Sequence, residues 1–286
     1  MRTIMNSSSL TQHRFQSFWY GGPLSPYELF CLKSFIDWGH AVDVYTYDVD
    51  LVVPAGVKVR DAAEILGQHE FFVYQAEGFG NGSPSAFSNL FRYKLLVEKG
   101  GWWIDADVVC LTERIPVVHR FFARQDADFI NGAVMYFEAQ DPIVVQCLDG
   151  AMKLGRSVRW GEAGPRLLTR VLLERGCLDQ AAPASVCYPI HYSQAVDLLR
   201  ASRTANLAAK IEPSLFLHVW QSMLVHLGVL KTSRPPKGSL LRKSTDKHPV
   251  DGWIGEYDEW SLERGLHLKA ALKVSLEKKG STAGRY

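Results

Sequence analysis

The sequence predicts an α/β fold with a mostly parallel sheet flanked by helices. Two observations carry that expectation. Over residues 15–109, β-branched and aromatic runs alternate regularly with helical runs, an order that calls for parallel strands joined by crossover helices. A helix closed by Gly100-Gly101 also runs straight into a very apolar segment, 102–109, which carries Asp105 and Asp107. With 286 residues the chain is long enough for one large core.

The elements follow in order. Residues 15–20 are an aromatic strand stopped by Gly21-Gly22-Pro23. A helix follows over 25–38, with Pro26 suited to its first turn and Gly39 to its C-cap. Residues 42–47 alternate and read as the second strand, and Pro54 and Gly56 turn the chain into a short strand and helix over 57–67. The glycine-rich stretch through Gly78 to Pro84 reads as an ordered loop near a site. A helix over 86–99 leads into the 102–109 strand, and a further strand spans 128–137 with Asn131-Gly132 as a turn. Helices follow over 141–154 and 164–175, then a short extended piece at 188–190. Residues 231–247 are basic and rich in Pro, Gly and Ser, and a last helix covers 257–279. The expected division is therefore an N-terminal extension (1–14), a main domain (15–230), and a basic linker with C-terminal helices (231–286).

Composition narrows the function. Thirty-two basic residues against thirty acidic ones argue against nucleic acid and against polyanionic substrates. Five scattered cysteines without a Cys-x-x-Cys pair read as reduced, buried thiols. The N-terminus lacks the apolar stretch of a signal peptide, and the longest apolar run, 214–230, is interrupted by His218, Gln221, Ser222 and His226. The acceptor triplets at Asn6 and Asn81 mean little without a secretory signal. These features imply a cytoplasmic protein. The basic segment 231–247 reads first as a solvated linker, and second as a contact with an anionic membrane surface, where each base adds about 1 kcal/mol.

Two features carry chemistry. On the 86–99 helix, Ser85, Ser88, Asn89 and Arg92 fall within an arc of roughly 100°. Apolar residues cover much of the rest, so this polar stripe must meet partners or a wet cavity. Arg92 suits a phosphate or sugar hydroxyls, and the alternative is a salt bridge to a core carboxylate such as Asp105. Asp105 and Asp107, two apart on a strand, share one side and repel each other. A hard divalent cation, Mg²⁺ or Mn²⁺, resolves that repulsion and leaves positions open for diphosphate oxygens.

The run Ser88-Asn89-Leu90-Phe91-Arg92-Tyr93, followed by Gly100-Gly101-Trp102-Trp103-Ile104-Asp105-Ala106-Asp107, resembles glycosyltransferases whose sugar-binding region contains the DXD motif. Phe18-Trp19-Tyr20-Gly21-Gly22, Gly164-Pro165 and His218-Val219-Trp220 extend the resemblance over residues 15–230. It implies a GT-A-type nucleotide-diphospho-sugar transferase fold and transfer with retention of configuration. The donor would be a nucleotide sugar, expected to be a UDP-sugar, and the acceptor a glycan, lipid-linked or protein group. It implies that Asp105, Asp107 and His218 hold Mn²⁺ or Mg²⁺, and that Arg92, Asn89 and Asp107 form the catalytic group. Donor contacts would come from Trp19, Tyr20, Ser88, Asn89, Arg92, Trp103 and Asp105, with Trp19 and Trp103 on the base. Two departures stand out: Asn89 replaces the family's Asp, losing a charge and gaining donors, and Trp103 replaces its Tyr.

Two other readings compete. Residues 105–109 also fit the start of a haloacid-dehalogenase-type phosphatase, but that motif normally opens a chain, and no later acidic pair follows it here. A non-catalytic sugar-nucleotide or glycan-binding module is supported only by Asn89.

Overall fold

The computed structural model describes residues 12–75, 80–258, 260 and 262–266. Most of the N-terminal extension, the Asn6 triplet, Gly78 and the greater part of the expected 257–279 helix lie outside the described residues.

β1 (Arg14–Phe18) leads through Gly21 and Gly22 into α1 (Pro26–Asp37). Pro26 opens that helix, and the Glu28 carboxylate accepts from the Ser25 N–H at 2.8 Å. Gly39 ends it with φ +83°, a conformation that costs glycine little. β2 (Ala41–Thr46) and β3 (Val57–Asp61) follow, then α2 (Ser85–Lys99) and β4 (Gly101–Ile104).

Here the expected single strand 102–109 divides. Asp105 N–H still donates to Ala133 in the main sheet at 2.8 Å, but Val108 N–H turns back onto the Asp105 carbonyl. The chain leaves the sheet through Asp105–Asp107 and resumes as β5 (Val108–Cys110). β6 (Arg120–Arg124) and β7 (Ile130–Phe137) form an antiparallel hairpin. Asn131-Gly132 therefore lies within β7 and makes no turn.

α3 (Pro142–Leu154), α4 (Leu167–Glu174), α5 (Ala184–Cys187) and α6 (Thr204–Ile211) lead to β8 (Phe216–His218) and α7 (Gln221–His226). β9 (Ser233–Arg234), α8 (Leu240–Lys247) and β10 (Gly255–Glu256) complete the described chain. Residues 231–247 are thus ordered structure where a linker was expected. Leu240 and Leu241 enter the main core, and Arg234 and Arg242 converge on Asp246 at 2.7 and 3.0 Å.

The main sheet runs β3-β2-β1-β4-β7-β6. Its first four strands are parallel, β7 runs antiparallel to β4, and β6, antiparallel to β7, runs in the direction of the first four. A separate pair, β5 and β8, is antiparallel with Val108 opposite His218. Successive side chains of a strand face opposite ways, so Trp102 and Trp103 enter different cores. Trp102 packs beside Phe15 and Phe216, whereas Trp103 joins the cluster of Phe87 and Phe91 under α2. Burying each ring contributes at most about 5 kcal/mol. No described helix is long and apolar enough to cross a membrane.

Candidate functional site

The turn between β4 and β5 places Asp105, Asp107 and His218 together, with one ligand atom of each within 4.8 Å of the others. Asp107 is held by one neighbouring segment at three points. Its carbonyl accepts from Val219 N–H at 2.9 Å, its Oδ2 from Gln221 N–H at 2.9 Å, and His218 Nε2 lies 3.0 Å from Oδ1. Trp220 makes this possible by adopting left-handed φ +58°, an uncommon conformation for a bulky residue. Its indole N–H donates to the Ile190 carbonyl at 2.7 Å, which anchors the turn. Burial pushes the Asp107 carboxyl up, but His218 and the Gln221 N–H outweigh it, so the group lies below its ordinary pKa.

Asp105 has different supports. Arg92 Nη2 donates to its Oδ1 at 2.6 Å, and Trp103 Nε1 donates to the same oxygen at 2.8 Å. Both bonds fall on Oδ1, which leaves Oδ2 for another ligand. The Arg92 guanidinium stacks 5.0 Å from the centre of the Trp103 ring. Gly132 provides the room: a Cβ there would lie 2.5 Å from Arg92 Nη1. This glycine is required by the arginine rather than by a turn.

A cavity of about 740 Å³ opens beside these carboxylates. Trp19, Tyr20, Ser88, Trp103, Asp105 and Asp107 all line it, together with Trp160, Gln221 and Lys231. Trp19 is partly exposed and donates to the Gly22 carbonyl at 2.7 Å, with Lys231 5.2 Å from its ring. Tyr20 stacks on Phe71 at 3.8 Å. Lys231 also pairs with the buried Glu28, so this base turns inward. Gly80 lets the 80–84 loop close on Trp160, since a Cβ would sit 2.0 Å from that ring.

Three expected site residues stand behind this wall. Asn89 and Arg92 are buried and are not among the lining residues. Asn89 shares a hydrogen bond with Tyr74 and faces Gly164, whose Cβ would lie 3.2 Å from Asn89 Oδ1. Arg92 is committed to Asp105, the salt bridge the sequence offered as the alternative. Neither therefore lines the cavity where a donor sugar was expected to meet them. His218, likewise buried, reaches the site through Asp107. Trp103 keeps little free face for a base, because it is fully buried beneath Arg92.

Sequence reasoning missed Gln221, Trp160 and Tyr188. The Tyr188 hydroxyl accepts from Val134 N–H at 3.1 Å, donates to the Asn131 carbonyl at 3.2 Å, and its ring packs on His218. For Gln221 a signal existed, an amide inside an apolar run directly after His218-Val219-Trp220. For Trp160 none did.

The donor set, two carboxylates and an imidazole, suits a divalent cation. Among the described residues buried His218 Nδ1 has no hydrogen-bond partner, so no second bond from them locks the ring.

The chain is similar to several known proteins. The lactosylceramide 4-alpha-galactosyltransferase of Rattus norvegicus is 25% identical over 158 residues, covering 51% of this chain and 44% of that protein. The Homo sapiens enzyme of the same name is 23% identical over 144 residues, covering 46% and 40%. The chain thus spans less than half the length of these relatives. Among solved structures, the PaToxG glycosyltransferase aligns with TM-score 0.45 and 12% identity over 74% of this chain and 85% of that one. The WbbM bifunctional glycosyltransferase aligns with TM-score 0.45 and 10% identity over 93% and 53%. Residues 136–244 match the alpha 1,4-glycosyltransferase conserved region, so that part of the chain is similar to glycosyltransferases.

Proposed function

We propose that the protein is a GT-A-type, metal-dependent glycosyltransferase that moves a sugar from a UDP-sugar to a glycan or lipid-linked acceptor with retention of configuration. The observation that carries this reading is the Asp105–Asp107–His218 cluster at the wall of the aromatic cavity. A bound Mn²⁺ or Mg²⁺ would neutralise the departing nucleoside diphosphate.

The chain's own residues do the rest. His218 and the Gln221 N–H fix the Asp107 carboxylate, and Arg92 with the Trp103 N–H fixes that of Asp105. This removes reorganisation when the donor binds. Trp19 and Tyr20 offer aromatic walls to the base.

Retention is supported by the relatives' names, which specify α-linked products, because common UDP-hexoses are themselves α-linked. Among the described lining residues the carboxylates are Glu28, Asp105 and Asp107. Glu28 is committed to Ser25 and Lys231, and the other two form the cluster. That supports same-face attack assisted by the leaving phosphate over a double displacement. A membrane contact through residues 231–247 is not part of the proposal, since Lys231, Arg234 and Arg242 face acidic partners.

The test is donor hydrolysis across UDP- and GDP-sugars with Mn²⁺, Mg²⁺ or EDTA, with Asp107→Ala alongside. Metal-dependent release of UDP from one donor, lost in the variant, is the expected result. Absence of any metal-dependent nucleotide binding by calorimetry refutes the proposal.

A further inference from the structure

Gln221 is 5% exposed and lines the cavity, and among the described residues neither polar atom of its side-chain amide has a hydrogen-bond partner. Each buried, unpaired polar group costs roughly 1–3 kcal/mol. A carboxamide kept in that state is therefore expected to find its partners in whatever fills the cavity. Its backbone explains why it stays there. The Gln221 N–H is tied to Asp107 Oδ2, and the left-handed Trp220 before it is anchored to Ile190. The amide is thus held beside the acidic cluster by bonds independent of its side chain.

The chemistry of the amide selects the ligand class. Nε2 needs acceptors and Oε1 needs a donor. A phosphate supplies acceptors alone, and a cation satisfies only Oε1. A pair of sugar hydroxyls supplies both, as does the imide edge of uracil, which the titration with UDP alone separates from it. We propose that Gln221 is a specificity residue that reads two neighbouring hydroxyls of a pyranose ring, on the transferred sugar or on the acceptor sugar. This rests on the transferase reading above.

The test compares wild type with Gln221→Met, which keeps length and removes both polar atoms. Titration calorimetry would be run with Mn²⁺ alone, with Mn²⁺ and UDP, with Mn²⁺ and UDP-galactose or UDP-glucose, and with methyl lactoside in the presence of Mn²⁺ and UDP. Two lost hydrogen bonds predict binding weaker by roughly 30-fold, with Mn²⁺ and UDP affinities unchanged. A loss confined to the UDP-sugars assigns the amide to the transferred sugar, and a loss confined to the lactoside assigns it to the acceptor. Equal losses for UDP and UDP-sugar, weakened Mn²⁺ binding, or no change in any titration would overturn the inference. Gln221→Asn, which shortens the side chain but retains the amide, serves if the Met variant fails to fold. It should lose sugar affinity at an unchanged thermal midpoint, and wild-type affinity for every sugar would overturn the inference equally. If the wild-type protein itself binds neither UDP nor a UDP-sugar, the transferase reading fails first.

Discussion

Replacing Asp105 with Ala should destabilise the protein by stranding Arg92. The Arg92 side chain is 6% exposed, and its bond to Asp105 Oδ1 at 2.6 Å is its one salt bridge among the described residues. Removing the carboxylate leaves a buried guanidinium without its counter-charge, which costs about 3–5 kcal/mol. The Asp105 side chain is 29% exposed, so water entering from the cavity recovers part of this. The lower end, about 3 kcal/mol, is the expectation, equivalent to a fall of roughly 6–12 °C in thermal midpoint. Arg92→Met should cost less, because the stranded partner is then a carboxylate that reaches solvent. The double variant Arg92→Met/Asp105→Ala should be more stable than Asp105→Ala alone by about 1 kcal/mol or more. Urea unfolding followed by circular dichroism, with EDTA present to exclude any cation, gives all four corners of the cycle. A cost below about 1 kcal/mol for Asp105→Ala, or a double variant no better than the single one, would refute the argument.

Three further predictions stand beside it. Gly132→Ala places a Cβ 2.5 Å from Arg92 Nη1. It should destabilise by about 1–3 kcal/mol in a thermal melt and weaken Mn²⁺ binding by tilting the Arg92–Asp105 pair. Burial raises the thiol pKa of Cys31 and Cys187 strongly, and those of Cys110 and Cys147 to about 12. Ellman's reagent at pH 8 should therefore label only the partly exposed Cys177 quickly and all five thiols after denaturation; fast labelling of two or more native thiols contradicts this. Burial pushes the Asp37 carboxyl up, but Lys33 and His248 outweigh it, so its folded pKa is lowered. Its stabilisation is then present above the unfolded carboxylate pKa and disappears as pH falls through the folded value. Asp37→Asn should lower stability by less than about 1 kcal/mol at pH 7, by an amount that shrinks as pH falls through the folded value, read from urea midpoints.

The parts of this molecule that were legible in the sequence are the local ones. Pro26, Gly39 and the alternation of 42–47 marked α1 and β2 because caps and pleats are written in adjacent residues. Asp105 and Asp107 stood out for the same reason. The break between β4 and β5 was not legible, because what draws β5 out of the main sheet is β8, paired through Val108 and His218. Asn131-Gly132 was misread because a glycine signals a turn locally, whereas here it clears space for an arginine on another element. The polar stripe of α2 was visible, but not which of its members would reach the cavity. Ser88 lines it, while Asn89 and Arg92 stop behind it, a difference fixed by Tyr74 and Asp105.

The bonds from His218 and Gln221 to Asp107 span 111 and 114 residues of chain. Closing a loop of that size carries an entropic cost that nearby contacts do not. The six-stranded sheet ends at Phe137, so it can pair fully before His218 has left the ribosome. The order of synthesis thus separates making the scaffold from making it reactive: a nascent or truncated chain holds Asp105 and Asp107 without the segment that completes their cluster. Pulse-labelled hydrogen exchange during refolding should show β1, β2 and β4 protected before the Val219 and Gln221 amides, and simultaneous protection would argue against that order.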